Sequence, residues 1–172
     1  MRDGCAELYS SIGQALSISD LANHMIVTSS NLATNLLIDV AGVAALQEKL
    51  ADIGVRGVEL RRGVEDELAF EHKIINRVTA DGLLQLFSSL YGARSIDPDL
   101  SEKMLRILMN QKFNQGIPAG LPLEIRQQSR FAHKTGEIST VATTGLLEWT
   151  AGTQSFLSES PTASEKRYIS IC

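Results

Sequence analysis

The chain predicts an α+β fold, a helical layer packed on an antiparallel sheet, because its helical patterns come first and its strand patterns last. Apolar residues recur at helical spacing in segments lying between residues 17 and 111. Strand-like runs begin only near residue 130, and no repeat or linker divides the 172 residues. One domain over 1–172 follows, with a helical part over about 17–111 and a sheet part over about 130–172.

Ser17-Ile18-Ser19-Asp20 predicts a helix start, with Ser17 as N-cap and Asp20 three residues on near the positive end of the dipole. Leu21, Ala22, Met25 and Ile26 carry that helix to about Thr28. Ser29-Ser30-Asn31 interrupts it with residues that favour caps and turns. A second helix over 32–41 is expected to bury Leu36, Leu37 and Val40, with Gly42 ending it. A third, over 43–53, runs through Leu46 and Leu50 to Gly54.

Val58, Glu59 and Leu60 suit a short extended piece. Residues 61–77 are charged, weakly periodic and long for a connector, the kind of loop that is usually functional. Thr79 caps a helix over 80–90 with Leu83, Leu84, Phe87 and Leu90 on one side. Asp97-Pro98 starts another, carrying Leu100, Met104, Leu105 and Leu108 to about Gln111. Two prolines and two glycines make 116–122 a loop. Strands are expected at 131–134, 145–150 and 168–171, with the polar tract 151–166 as a long hairpin loop.

Bulk properties narrow the function. A content of 44% hydrophobic and 21% charged residues is globular, and a net charge of −4 favours neither nucleic acid nor an anionic membrane as partner. No apolar run approaches the roughly 20 residues that span a bilayer, and the first fifteen residues lack a signal pattern. Cys5 and Cys172 read as free thiols in preference to a disulfide, which leaves the compartment undecided. His24, His72 and His133 have no metal-like spacing, and His24 and His133 suit packing or surface roles.

Two short motifs could carry chemistry. On a continuous helix Ser29 and Asn31 would diverge by about 200°, whereas in a non-helical elbow both can serve one cleft. There a hydroxyl can pass a proton and an amide can hold a substrate carbonyl; read blandly, Asn31 only caps the next helix. At a strand end, the Lys134 ammonium and the Thr135 hydroxyl can hold a carboxylate, and Gly136 lets a substrate backbone approach. The N–H of Glu137 could meet a developing oxyanion. Alone, that tripeptide is equally a surface turn.

In order, separation and local structure, the pair resembles the class A β-lactamases and the wider class-A-like, penicillin-recognising serine hydrolases. The segment from Met25 to Leu37, with its second amide at Asn35, resembles their Ser-Asp-Asn segment. His133-Lys134-Thr135-Gly136-Glu137-Ile138 resembles their Lys-Thr-Gly strand. Arg62-Gly63-Val64-Glu65-Asp66 and Val78-Thr79-Ala80 resemble the Ω-loop and the helix after it, which makes 61–77 Ω-like.

The resemblance implies hydrolysis of a β-lactam amide through an acyl-serine, without cofactor or metal. Ser29 would shuttle a proton to the leaving nitrogen, and Asn31 would bind the substrate's side-chain amide. Lys134 would support Ser29 and, with Thr135, hold the substrate carboxylate. Glu65 is the candidate for the acid that frees the acyl-enzyme, with Asp66 and Glu67 as alternatives because the spacing from Arg62 is off by one. Family members are usually periplasmic or secreted.

Two departures stand out. Ser30 replaces the central Asp, which should loosen the elbow. No Ser has a Lys three residues later, so the Ser-x-x-Lys nucleophile is missing from these 172 residues. The expectation is a truncated family member, inactive alone, lacking the early strands and terminal helices and prone to self-association through uncovered faces. The alternatives are a D-Ala-D-Ala peptidase-like protein acting on acyl-D-Ala-D-Ala substrates, or a non-catalytic binding remnant.

Overall fold

A computed structural model describes residues 6–92, 96–138, 141–150 and 153–159. The helices α1 (Ala6–Tyr9), α2 (Ile18–Val27), α3 (Asn31–Ala41) and α4 (Val43–Asp52) come first. A two-stranded ribbon, β1 (Val58–Glu59) with β2 (Arg77–Val78), brackets the short helix α5 (Glu67–Glu71). Next come α6 (Ala80–Gly92), α7 (Pro98–Met109), α8 (Ile117–Gly120) and α9 (Leu123–Gln128). The antiparallel sheet β3 (Ser129–Ile138), β4 (Val141–Thr150) and β5 (Thr153–Glu159) ends the described chain. The α+β class expected from the sequence is the one observed.

Local chemistry sets the boundaries. Ser17 and Asp20 form a reciprocal capping box at the start of α2, with the Asp20 N–H donating to Ser17 Oγ at 3.1 Å and the Ser17 N–H to Asp20 Oδ2 at 3.1 Å. The Ser17 hydroxyl, donating to Asp20 Oδ2 at 2.6 Å, and next the Ser17 N–H hold the Asp20 carboxyl below its ordinary pKa. Thr79 Oγ1 accepts from the Gly82 N–H at the start of α6, and Asp97 Oδ1 from the Asp99 and Leu100 N–H groups at the start of α7. Gly42, at φ 79°, ends α3 in a backbone conformation that a side chain would strain.

Two apolar clusters join the layers. Phe87, Leu90, Leu105, Leu108 and Ala132 pack α6 and α7 onto β3, and Ile26 of α2 lies against them. Leu8, Leu21 and Ala33, with Met25, Leu32 and Leu37 around them, join α1, α2 and α3. α2 therefore touches both clusters, which fixes its C-terminal end relative to β3.

Several expectations need correction. On α3 the buried side chain is Ala33, with Leu37 half-buried, while Leu36 and Val40 are exposed. Leu36 lies about 60° around the helix from Ala33, and Val40 lies one turn beyond the Leu37 level, past the cluster. Leu84 is exposed about 60° around α6 from Phe87, and Leu100 is exposed about 140° around α7 from Leu105, on the side turned away from the core. The tract 116–122 is not all loop, because α8 occupies Ile117–Gly120 with Pro118 in its first turn, where a missing N–H costs nothing. The tract 151–166 holds β5, whose Phe156 and Leu157 sit among polar residues that mask the strand pattern. The strand expected at 168–171 lies outside the described residues, as do Cys5 and Cys172.

Candidate active site

Ser29 sits between two helices that fray into one elbow. Thr28 closes α2, and its hydroxyl donates to the His24 carbonyl at 2.9 Å. Ser30, fully buried, opens α3 and accepts the Ala33 N–H on Oγ at 3.2 Å. Between these caps Ser29 takes φ 54°, left-handed backbone that is uncommon for a residue with a Cβ. The Ser30 N–H also donates to the His24 carbonyl, at 3.1 Å. Ser30 thus braces the corner from within as a buried cap. Asn31 is the first residue of α3 and is half-buried.

Lys134 lies mid-strand in β3, paired with Gly145 across β4. Its Nζ donates to Ser29 Oγ at 2.9 Å across 105 residues of chain, and also to the Thr135 carbonyl. Burial lowers its pKa from 10.5 to about 8, because desolvation disfavours the charged form. Near neutrality such an amine carries charge yet can give up a proton. Since Ser29 Oγ accepts from Lys134, its own O–H is left to donate elsewhere, the arrangement a proton shuttle needs. Thr135 is half-buried and Gly136 exposed beside Lys134, and Glu137 pairs its backbone with Ala142 in register.

The Ω-like loop is held differently. Its ends meet where Glu59 pairs with Arg77 in the ribbon. Buried Asn76 accepts the N–H groups of Arg61 and Arg62 on Oδ1, at 2.7 and 3.0 Å, and donates to the Arg62 carbonyl at 2.9 Å. The Arg62 guanidinium, also buried, donates to the carbonyls of Ile74 and Gly63 at 2.9 and 3.0 Å and stacks over Phe70.

One clamp ties the loop to α3. The Asn35 amide donates to the Val64 carbonyl at 3.0 Å and accepts the Val64 N–H at 2.8 Å. Gly63 makes room for it, since a Cβ there would meet Asn35 Oδ1 at 2.6 Å. The residue pinned against the helix is therefore Val64, buried and apolar. Glu65 follows at φ 58° with its side chain in solvent. Asp66 caps α5 through Ala69 N–H at 2.9 Å, and Glu67 lies exposed in that helix's first turn.

The structure thus brings Ser29 and Lys134 into contact and sets Glu65, Asp66 and Glu67 at the surface of the loop. Behind the site lie three polar residues, Gln111, Asn114 and His133; burial bears out the packing role expected of His133, while the sequence assigned no role at the site to Gln111 or Asn114. Their only signal was polarity at the end of an amphipathic helix and beside a lysine. Among the described residues no His, Cys, Asp and Glu group suits a metal ion, and no helix is long and apolar enough to cross a membrane.

Solved structures share this arrangement of elements. A beta-lactamase from Sphaerobacter thermophilus is 26% identical with a TM-score of 0.74, over 83% of this chain and 53% of that one. PBP-A is 25% identical with a TM-score of 0.69, over 81% of this chain and 49% of that one. A beta-lactamase from Chitinophaga pinensis, 16% identical over 94% of this chain and 63% of that one, has a TM-score of 0.74 and speaks for the fold alone. The chain spans about half the length of the first two. No curated protein matches it. Residues 2–152 match the description "Beta-lactamase enzyme family", and with a match of that extent the chain belongs to that family.

Proposed function

We propose that this chain carries the proton-shuttle and carboxylate-binding half of a β-lactamase-type serine hydrolase site. The observation that supports it is the 2.9 Å bond from Lys134 Nζ to Ser29 Oγ. In this reading Ser29 hands a proton to the departing lactam nitrogen, and Lys134 returns one while holding Ser29 in place. Lys134 and Thr135 bind the substrate carboxylate, Asn31 its side-chain amide, and the Glu137 N–H meets the oxyanion. No Ser-x-x-Lys is present in the 172 residues, so the chain by itself binds the ligand without forming an acyl-serine.

The test is equilibrium binding of penicillin G, followed by protein fluorescence. Binding should be weak, and Lys134→Ala should weaken it at least tenfold, about 1.4 kcal/mol. Affinity unchanged in that variant, or turnover of a chromogenic cephalosporin at rates typical of an enzyme, overturns the reading.

A second reading, a penicillin-recognising peptidase, has its own observation. The loop residue that Asn35 holds against α3 is Val64, which has no acid to activate a deacylating water. A point mutant of PBP-A was solved as an acyl-enzyme complex with penicillin G, so that relative forms the adduct long enough to be seen. In a chain joined to a Ser-x-x-Lys segment, Glu65→Gln separates the two. A long-lived adduct appearing only in the variant favours the lactamase, and an adduct equally long-lived in both favours the peptidase.

A further inference from the structure

Behind the Ser29–Lys134 contact runs a continuous series of hydrogen bonds. The Gln111 side chain is buried at the end of α7 and donates to the Ile26 carbonyl of α2 at 2.8 Å. The next residue's backbone, Lys112 N–H, donates to the Val27 carbonyl at 3.3 Å. Gln111 Oε1 accepts the Phe113 N–H at 3.1 Å, and the Gln111 carbonyl accepts from Asn114 Nδ2 at 3.2 Å. Asn114 then turns its Oδ1 to His133 Nε2, at 2.8 Å. His133 precedes Lys134 on β3, and Ile26 and Val27 precede the elbow. The circuit closes through Lys134 and Ser29.

The amide orientation of Asn114 fixes the imidazole. With Nδ2 spent on the Gln111 carbonyl, Oδ1 must accept, so Nε2 of His133 carries the hydrogen. Nδ1 is then a bare acceptor, buried and without a hydrogen-bond partner among the described residues. Protonating it would bury a second cation beside Lys134, with no acceptor among the described residues for the new Nδ1–H. Burial first, and the Lys134 charge second, hold the His133 pKa below its ordinary value. His133 is therefore a neutral donor built into a frame.

We propose that Gln111, Asn114 and His133 are positioning residues, a strut that sets the distance between the Ser29 elbow and the Lys134 strand. It acts through His133 Nε2 and the Ile26 carbonyl, and its action does not depend on which ligand the site takes. Apolar packing of α7 on β3 fixes the layers in general, whereas this strut fixes the one separation on which the Lys134–Ser29 bond depends.

The experiment titrates Lys134 in the free protein by the NMR shift of its ¹³C-labelled Cε, assigned with Lys134→Arg. The midpoint in the parent chain should lie near 8. Asn114 is exposed, so Asn114→Ala should fold, and its midpoint should rise by about one unit or more as the site loosens and hydrates. His133→Phe should do the same, while His133→Gln, which keeps a neutral N–H at the same reach, should restore the parent value. Leu108→Val, a loss of core packing without a break in the strut, should lower Tm and leave the midpoint in place. An unmoved midpoint in Asn114→Ala overturns the proposal, as does an equal rise in Leu108→Val.

Discussion

The elbow with its facing strand and the Ω-like loop are both built around buried polar groups, yet they differ in what those groups leave over. At the elbow, Ser29 Oγ and Lys134 Nζ, to which the proposed function assigns the chemistry, are themselves the contact between distant elements. At the loop, Asn76 and Arg62, and Asn35 reaching in from α3, spend their side chains on backbone N–H and carbonyl groups, and the loop's acids face solvent. The first region trades comfort for chemistry: a left-handed serine and a lysine held where its charge is disfavoured. The second spends its buried amides and guanidinium on shape alone. A loop with that construction can accept changes at its exposed acids without loss of form, while the elbow cannot lose Ser29 or Lys134 and keep the contact on which the proposed function rests.

Three perturbations sharpen this contrast. The largest effect belongs to the loop: Asn76→Ala leaves two N–H groups and a carbonyl without their buried partner and should cost about 3 kcal/mol in urea denaturation. A loss below about 1 kcal/mol would mean that the ribbon and the Arg62 guanidinium suffice to hold it. Next comes pH. Lys134 is charged below its pKa of about 8 and neutral above it, so carboxylate binding should be flat up to that pH and then weaken. The limiting slope is about tenfold per pH unit, read from penicillin G affinity between pH 6 and 10; a flat profile would separate Lys134 from the carboxylate. The smallest effect has the opposite sign. Ser29→Gly relieves the left-handed backbone and should raise stability by up to about 1 kcal/mol while removing the hydroxyl; a fall in Tm would show that the Lys134 bond outweighs the strain.

Much of this was legible in the residues. Ser17 and Asp20, Asp97 and Pro98, and Thr79 announced helix starts by local hydrogen-bond chemistry, and local chemistry travels with the sequence. The elbow was legible because three cap-forming residues in succession cannot continue a helix. Which apolar residues of α3 reach the core was not, because that depends on where α1 and α2 end in space, and Leu32, Ala33 and Leu37 fall against them while Leu36 and Val40 do not. β5 was hidden by its serines and threonines, and α8 and α9 by lengths too short for periodicity to register. Of the site, Ser29 and Lys134 were readable as motifs. Their supports were not, since Gln111 meets Ile26 across 85 residues and no spacing rule spans that gap.

The 105-residue separation between Ser29 and Lys134 has a kinetic meaning. Closing so long a loop costs more entropy than a local contact, so this bond is expected to form late, once the helices and the sheet have docked. On that order of events a partly assembled form of this chain lacks the Lys134–Ser29 contact, and the proposed proton relay would arise only together with the native state. A chemical reagent that senses the depressed lysine basicity would double as a clock for the completion of folding.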